Sequence, residues 1–217
     1  MTSVEMKWLL RNLLADKAGD RWSDSELYLY LSMAQRRIAA EASIPTLWAL
    51  TDIDVGMLVA DQSAYALPTD FAYDRLVLYK GIESVRKSKD QIRELVDPNS
   101  HVTPSETNPF HVIENETIVF YVDAVTQTNG DTYELYYVRT PAEMTAVVEP
   151  ELPLHFHNAI IDLAAALAYE AAGEPDRAEA QEAYGLEQIV HMNARYHGRD
   201  PYDDIARDPW LANLREE

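Results

Sequence analysis

Residues 65–80 read YALPTDFAYDRLVLYK, and the punctuation inside this stretch sets the architecture. A short apolar run stops at Leu67-Pro68, and a new one starts by Leu76. Pro68 has a fixed φ and no N–H, so it ends a strand and cannot sit inside a ladder. Asp70 bonds back to nearby backbone and holds a turn. Phe71 is the one apolar residue of that turn, expected to plug the edge of a core. Leu67, Pro68, Asp70 and Phe71 are therefore read as a structural corner between two strands.

Outward from this corner the chain keeps a strand-like character from Leu47 to about Arg139. Short runs rich in Val, Ile, Tyr and Thr are broken by Pro, Gly and Asn. Candidate strands are 47–55, 57–67, 76–79, 110–113, 117–122 and 132–139. Glu114-Asn115-Glu116 and Asn129-Gly130-Asp131 read as turns between paired strands. Ser88 can cap a short helix running to Val96.

Both flanks are helical. Thr2 with Glu5 and Ser23 with Glu26 fit the capping-box spacing. Met6, Leu9, Leu10, Leu13 and Leu14 share one helix face, and Trp8 lies about 200° from Met6, off that face. Leu27, Tyr30, Leu31, Ala34 and Ile38 form the stripe of a second helix over about 24–42. After Pro150-Glu151-Leu152-Pro153, Phe156, Ile160, Leu163 and Leu167 mark a third helix. Its seven alanines between Ala159 and Ala172 favour helix and close helix–helix approach. Gly173 suits a C′ position and Pro175 the first turn of a fourth helix. Leu186, Ile189, Val190 and Met192 form that helix's apolar side.

The expected fold is α+β: a four-helix hub from N-terminal and C-terminal helix hairpins, with an inserted, mainly antiparallel β region. The expected divisions are a helix hairpin at 1–45, the β insertion at 46–150, a second hairpin at 151–197 packing on 1–45, and an acidic C-terminal tail at 198–217.

Composition narrows the function. The net charge is −19. Residues 1–60 hold 6 basic and 8 acidic groups, 61–150 hold 7 and 15, and 151–217 hold 5 and 14, so acid accumulates toward the C-terminus. Gripping nucleic acid requires basic groups that displace counterions, so DNA or RNA binding is not expected. The opening MTSVEMKWLLRNLL carries charges within its apolar stretch and is not expected to be a secretory signal. No apolar run is long enough for a membrane span, and there is no cysteine. Folding in a cytoplasm is the expectation.

The sequence has no Gly-rich phosphate loop, G-x-S-x-G, H-E-x-x-H or cysteine nucleophile. His155 and His157 would point about 200° apart on a helix and could not share a metal. No metal, cofactor or catalytic residue is assigned, and the chain is read as a non-enzyme. Interaction residues are more legible. Trp8 is off its stripe, and Arg36, Arg37, Arg86, Lys87 and Lys89 are the basic groups available to pair with an acidic neighbour. Tyr202, Ile205, Trp210 and Leu211 give the tail the make-up of a segment that orders on a partner.

Three stretches carry a resemblance: the S-D-S-E cap with LYLYLSMAQRRIAAE, YALPTDFAYDRLVLYKG, and YELYYVRTPAEM followed by PELPLHFHNAIIDLAAALAYEAAGEPDRAEAQEAYG. Together they resemble the head-to-tail adaptor, or connector, proteins of tailed bacteriophages. The likeness is closest to the short-tailed phage adaptors called tail tubular protein A-like or tail accessory factors, and covers roughly residues 4–196. The resemblance implies a non-catalytic virion protein at the head–tail junction, assembled in the host cytoplasm. It implies a ring, usually a dodecamer, beneath the portal protein, with a tail or nozzle protein docking below. Genomic DNA would pass through its channel without specific binding, and an acidic wall would keep it from sticking. Residues 198–217 would engage the portal, and Trp8 with the named basic residues would join neighbouring subunits. The 67–71 corner would lock the β insertion to the hub, with Phe71 near Phe156 or Trp48. Alternatives are another neck or head-completion protein, a minor tail protein, or a virion-associated cell-wall hydrolase.

Overall fold

The computed structural model describes residues 1–40, 49–95, 104–122 and 131–197. In chain order the elements are α1 (Ser3–Leu13), α2 (Asp24–Ala40), β1 (Thr51–Met57), β2 (Ala64–Ala66), β3 (Phe71–Tyr79), β4 (Ile82–Glu83) and β5 (Val85–Arg86). Then come α3 (Lys89–Leu95), β6 (Phe110–Glu114), β7 (Thr117–Tyr121) and β8 (Thr132–Arg139). A 3-10 turn at Leu154–Phe156 leads into α4 (His157–Ala171), and α5 is Pro175–His197. The chain divides into a helical unit, residues 1–50 and 140–217, and a β unit, residues 51–139.

In the helical unit both capping boxes form. Thr2 Oγ1 accepts the Glu5 N–H at 3.1 Å while the Thr2 N–H donates to Glu5 Oε2 at 2.8 Å. Ser23 and Glu26 do the same at 3.3 and 2.7 Å. Gly173 takes φ +74° as the C′ residue of α4, and the Glu174 N–H closes on Tyr169 O at 2.9 Å.

The arrangement overturns the four-helix hub of paired hairpins. Ten of the fifteen residues of α4 are buried, including five alanines, so this helix has no solvent stripe and acts as the axis. Each of α1, α2 and α5 packs on it, and α1 and α2 touch each other less than either touches α4. Alanine is the physical reason, since small side chains let three neighbours approach one helix. Gly185 on α5 shows how close the approach is. A Cβ there would fall 2.8 Å from Leu163 Cγ on α4. The described residues hold five helices and two four-stranded sheets, which the single inserted β region did not anticipate.

The α2 stripe also carries polar work. Buried Ser32 donates its Oγ–H to Tyr28 O at 2.7 Å and accepts the Met144 N–H at 2.8 Å. Buried Gln35 accepts the Glu151 N–H at 2.9 Å and donates to Ala142 O at 3.4 Å. These two side chains tie the returning segment to α2.

His157 opens α4 buried. Its Nε2 lies 2.9 Å from Leu152 O, and Nδ1 has no hydrogen-bond partner among the described residues. Burial lowers its pKa, against the pull of the Leu152 carbonyl. Such a group takes its proton more readily in the unfolded chain, near pH 6.5. Its stabilisation is therefore complete above about pH 6.5 and is lost as pH falls below it. The thermal midpoint should drop between about pH 7.5 and about pH 5.5, and His157→Gln, which keeps the donor to Leu152, should flatten that slope. An unchanged slope in the variant would assign the drop to other groups.

In the β unit one sheet runs β1-β8-β3-β4 and the other β2-β7-β6-β5. Pairing is antiparallel except between β5 and β6. Two-residue turns with positive φ at both positions, Lys80-Gly81 and Asn115-Glu116, close the β3–β4 and β6–β7 hairpins. Ile82–Arg86 passes directly from one sheet into the other, as strands do at a sandwich corner. The predicted strand 57–67 is split instead, because Asp61 sits at φ +61° between β1 and β2.

The two inner faces meet in one core of Leu58, Tyr65, Val77, Tyr79, Ile118, Phe120, Tyr133, Leu135 and Tyr137. On the outer side of the second sheet, Ile92 of α3 packs on Phe110 and Val112. Ser88 and Gln91 cap α3 reciprocally at 3.2 and 2.9 Å. In the first sheet, Gly56 of β1 lies opposite Tyr133 of β8, whose ring covers it. Thr51, the first residue of the unit, lies opposite Val138, next to the last.

The 67–71 corner belongs to this unit. The Phe71 N–H bonds Pro68 O at 3.0 Å, and the Tyr137 hydroxyl donates to Asp70 Oδ1 at 3.0 Å. Burial first, then the Asp70 carboxylate, pushes the Tyr137 phenol up to about 12. Phe71 is half-buried and stacks on Tyr137 with ring centroids 5.8 Å apart. Leu67 and Phe71 are partly buried and pack against the sandwich core. Trp48 lies outside the described residues.

Candidate interaction surfaces

On α1 the buried side is Ser3, Met6 and Leu10. Trp8 points the other way and is 62% exposed, with Val4 one turn before it at 47%. A capping box holds the start of this helix, and Trp8 O accepts the Asn12 side-chain N–H at 3.0 Å. A large aromatic on a rigid, capped helix is a surface with low ordering cost on binding.

The basic residues all have partners inside the protein. Arg36 Nε is 3.5 Å from Pro141 O, and Arg37 Nη2 is 2.6 Å from Glu182 Oε1 on α5. Arg86 pairs with Asp74, Lys89 Nζ lies 3.1 Å from Glu114, and Lys87 Nζ sits 5.3 Å from the centre of the Phe110 ring. Arg86, Lys87, Ser88 and Lys89 face Val112, Ile113 and Glu114 across an open depression of about 390 Å³. Exposed pairs such as Arg37–Glu182 and Lys89–Glu114 contribute under about 1 kcal/mol, so these cations exchange partners at little cost.

The β unit also holds a Ser, a His and an Asp in line, which reading along the chain does not reveal. Ser84 Oγ is 3.0 Å from His111 Nδ1, and His111 Nε2 is 3.5 Å from Asp74 Oδ2. Burial pushes the Asp74 carboxyl up, and His111 and Arg86 outweigh it and hold it below the usual carboxylate range. The geometry does not suit nucleophilic catalysis. Ser84 and His111 are buried, and the Ser84 hydroxyl also lies 3.2 Å from Pro109 O. A nucleophile must face its substrate, with its proton free to pass to the base. The cluster joins β3, β6 and the crossing strand between the two sheets.

Among the described residues no group of His, Asp or Glu is placed to hold a metal ion, and no helix is long and apolar enough to cross a membrane. The His155 ring lies tilted against Phe156, with centroids 4.4 Å apart, and His157 faces Leu152. Tyr202, Ile205, Trp210 and Leu211 lie outside the described residues.

These features define a protein of surfaces: a helical unit with an exposed tryptophan, a β sandwich, and strong acidity. A family model described as SU10 adaptor protein matches residues 1–203, and the chain belongs to that family. It is a phage adaptor protein. No curated protein matches the chain.

Proposed function

We propose that this adaptor assembles as a ring under the portal at the head–tail junction, extends the DNA channel and offers a docking surface to tail proteins. A dodecamer is the expected closure. The observation that carries the self-association is Trp8, exposed beside Val4 on a capped helix. A closed ring needs a heterologous contact, one patch meeting a different patch on the next copy. Trp8 supplies an aromatic anchor for one side. Arg36, Arg37, Arg86, Lys87 and Lys89 supply exchangeable cations for a neighbour of the same net charge of −19. That charge also suits a channel past which phosphates must slide without binding. Residues 198–217, with Tyr202, Ile205, Trp210 and Leu211, are the proposed portal-docking segment.

The test is solution mass by light scattering, for the protein alone and mixed with the portal ring of the same genome. A ring-sized complex is expected in the mixture. Trp8→Glu should reduce assembly at least about tenfold in concentration dependence while leaving the thermal midpoint unchanged, because the side chain is outside the core. Deletion of 198–217 should abolish the portal complex. Full rings from the Trp8→Glu protein would remove Trp8 from the interface, and indifference to the portal would overturn the role.

A further inference from the structure

Among the described residues no strand pairs with the outer edge of β1. β1 is the terminal strand of its sheet. Leu58 donates its N–H to Asp131 O at 2.8 Å, whereas the Ile53 N–H is taken by Asp52 Oδ1 of its own strand at 2.8 Å. The even-numbered residues therefore bond across to β8, and Ile53, Val55 and Met57 direct their N–H and C=O groups to the open side. The side chains of these same residues share one sheet face and are 50, 59 and 71% exposed. Register places them beside Thr132, Glu134 and Tyr136 of β8, so the apolar strip lies at the very margin of the sheet.

Natural sheet edges are blunted with lysine, proline or a bulge. Thr51–Met57 contains neither residue, and its register with β8 runs unbroken. On the opposite face of the strand stand Asp52 and Asp54. A strand laid against β1 would meet apolar side chains on one face and carboxylates on the other. A second copy of β1 would bring two more aspartates onto the acidic face, which like-charge repulsion opposes.

We infer that the β1 edge receives an extended segment of another protein in which apolar residues alternate with Lys or Arg. Main-chain bonds to Ile53, Val55 and Met57 would give the affinity, and the two faces would set register and choice. The inference does not depend on ring formation by α1.

The test uses the full-length protein and three capped synthetic peptides: one alternating valine with lysine, its scrambled isomer, and one alternating valine with glutamate. Amide hydrogen exchange is read at Val55 and Met57. The alternating lysine peptide should slow both amides by about tenfold or more, and the other two should not. Val55→Pro removes an outward N–H without breaking a bond to β8, so it should fold and lose the protection at Met57. Asp52→Lys with Asp54→Lys should transfer the preference to the glutamate peptide. Equal effects of all three peptides, or none from the first, would overturn the proposal. So would protection that grows with protein concentration alone, which would name a second copy as the occupant.

Discussion

Gly56→Ala is expected to destabilise the β unit by about 3 kcal/mol or more, a loss of core-substitution size caused by adding one methyl group. The new Cβ would lie 2.2 Å from two carbons of the Tyr133 ring, inside any tolerable contact. The ring cannot swing away cheaply. It packs 5.0 Å from Tyr65 and 5.5 Å from Phe120, centroid to centroid, in the middle of the sandwich core. Burial first, then the nearby Asp54 carboxylate, pushes its hydroxyl up to about 12. Two readouts follow. Chemical denaturation should show the lost stability, and spectroscopic titration should show one tyrosine returning toward about 10. The cost should largely vanish in a Tyr133→Ala background, because the two substitutions share one contact. A stability within about 0.5 kcal/mol of the parent would mean the ring has another place to lie.

Asp16→Ala should cost about 3 kcal/mol in the helical unit, through groups left without an acceptor. The Asp16 side chain is 6% exposed. It accepts from Arg11 Nη1 at 2.8 Å, from the Arg21 N–H at 3.2 Å and from the Trp22 N–H at 3.3 Å. Arg11 reaches on to Trp22 O at 3.0 Å and Asp24 Oδ1 at 2.7 Å. One carboxylate thus organises the whole α1–α2 connection over buried Trp22. Burial raises its pKa, and the two backbone donors with Arg11 outweigh burial and lower it overall. A lowered carboxyl stabilises above its unfolded value near 4 and loses that contribution as pH falls through the folded one. Asp16→Asn should therefore be destabilised at neutral pH and lose less stability than the parent on acidification to about pH 3. Urea midpoints at the two pH values measure both.

Local signals in the sequence proved easy to read, and long-range ones did not. Thr2, Ser23, Gly173 and Pro175 act through backbone within four residues, and their spacing alone predicts the helix ends. The stripe of α2 is right at Leu27, Leu31, Ala34 and Ile38, but Tyr28 is buried where Tyr30 was expected. Ser32 and Gln35 are buried for partners more than a hundred residues away, which no periodicity can show. The hub failed for a related reason. An alanine-rich helix has apolar character all round, so its pattern does not say how many neighbours it takes. In the β unit, Glu114-Asn115-Glu116 located the β6–β7 hairpin, but β7 and β8, expected to pair across Asn129-Gly130-Asp131, lie in different sheets, and the split after β1 depended on a left-handed Asp61.

Candidate surfaces follow the same division. Trp8 stands out because it breaks the stripe of its own helix. The Asp-Ile-Asp-Val alternation of 52–55 can be read along the chain, but its place on the terminal strand of a sheet cannot. Ser84, His111 and Asp74 are scattered along the chain and meet through the crossing strand.

The pairing of Thr51 with Val138 has an evolutionary corollary. Antiparallel neighbours sit about 5 Å apart at Cα, so the chain enters and leaves the β unit through almost the same point. A segment with such adjoining ends can be cut out and the gap closed by a few residues, or replaced by another module. Exchange of residues 51–139 for another module would therefore need only this one junction to be rejoined.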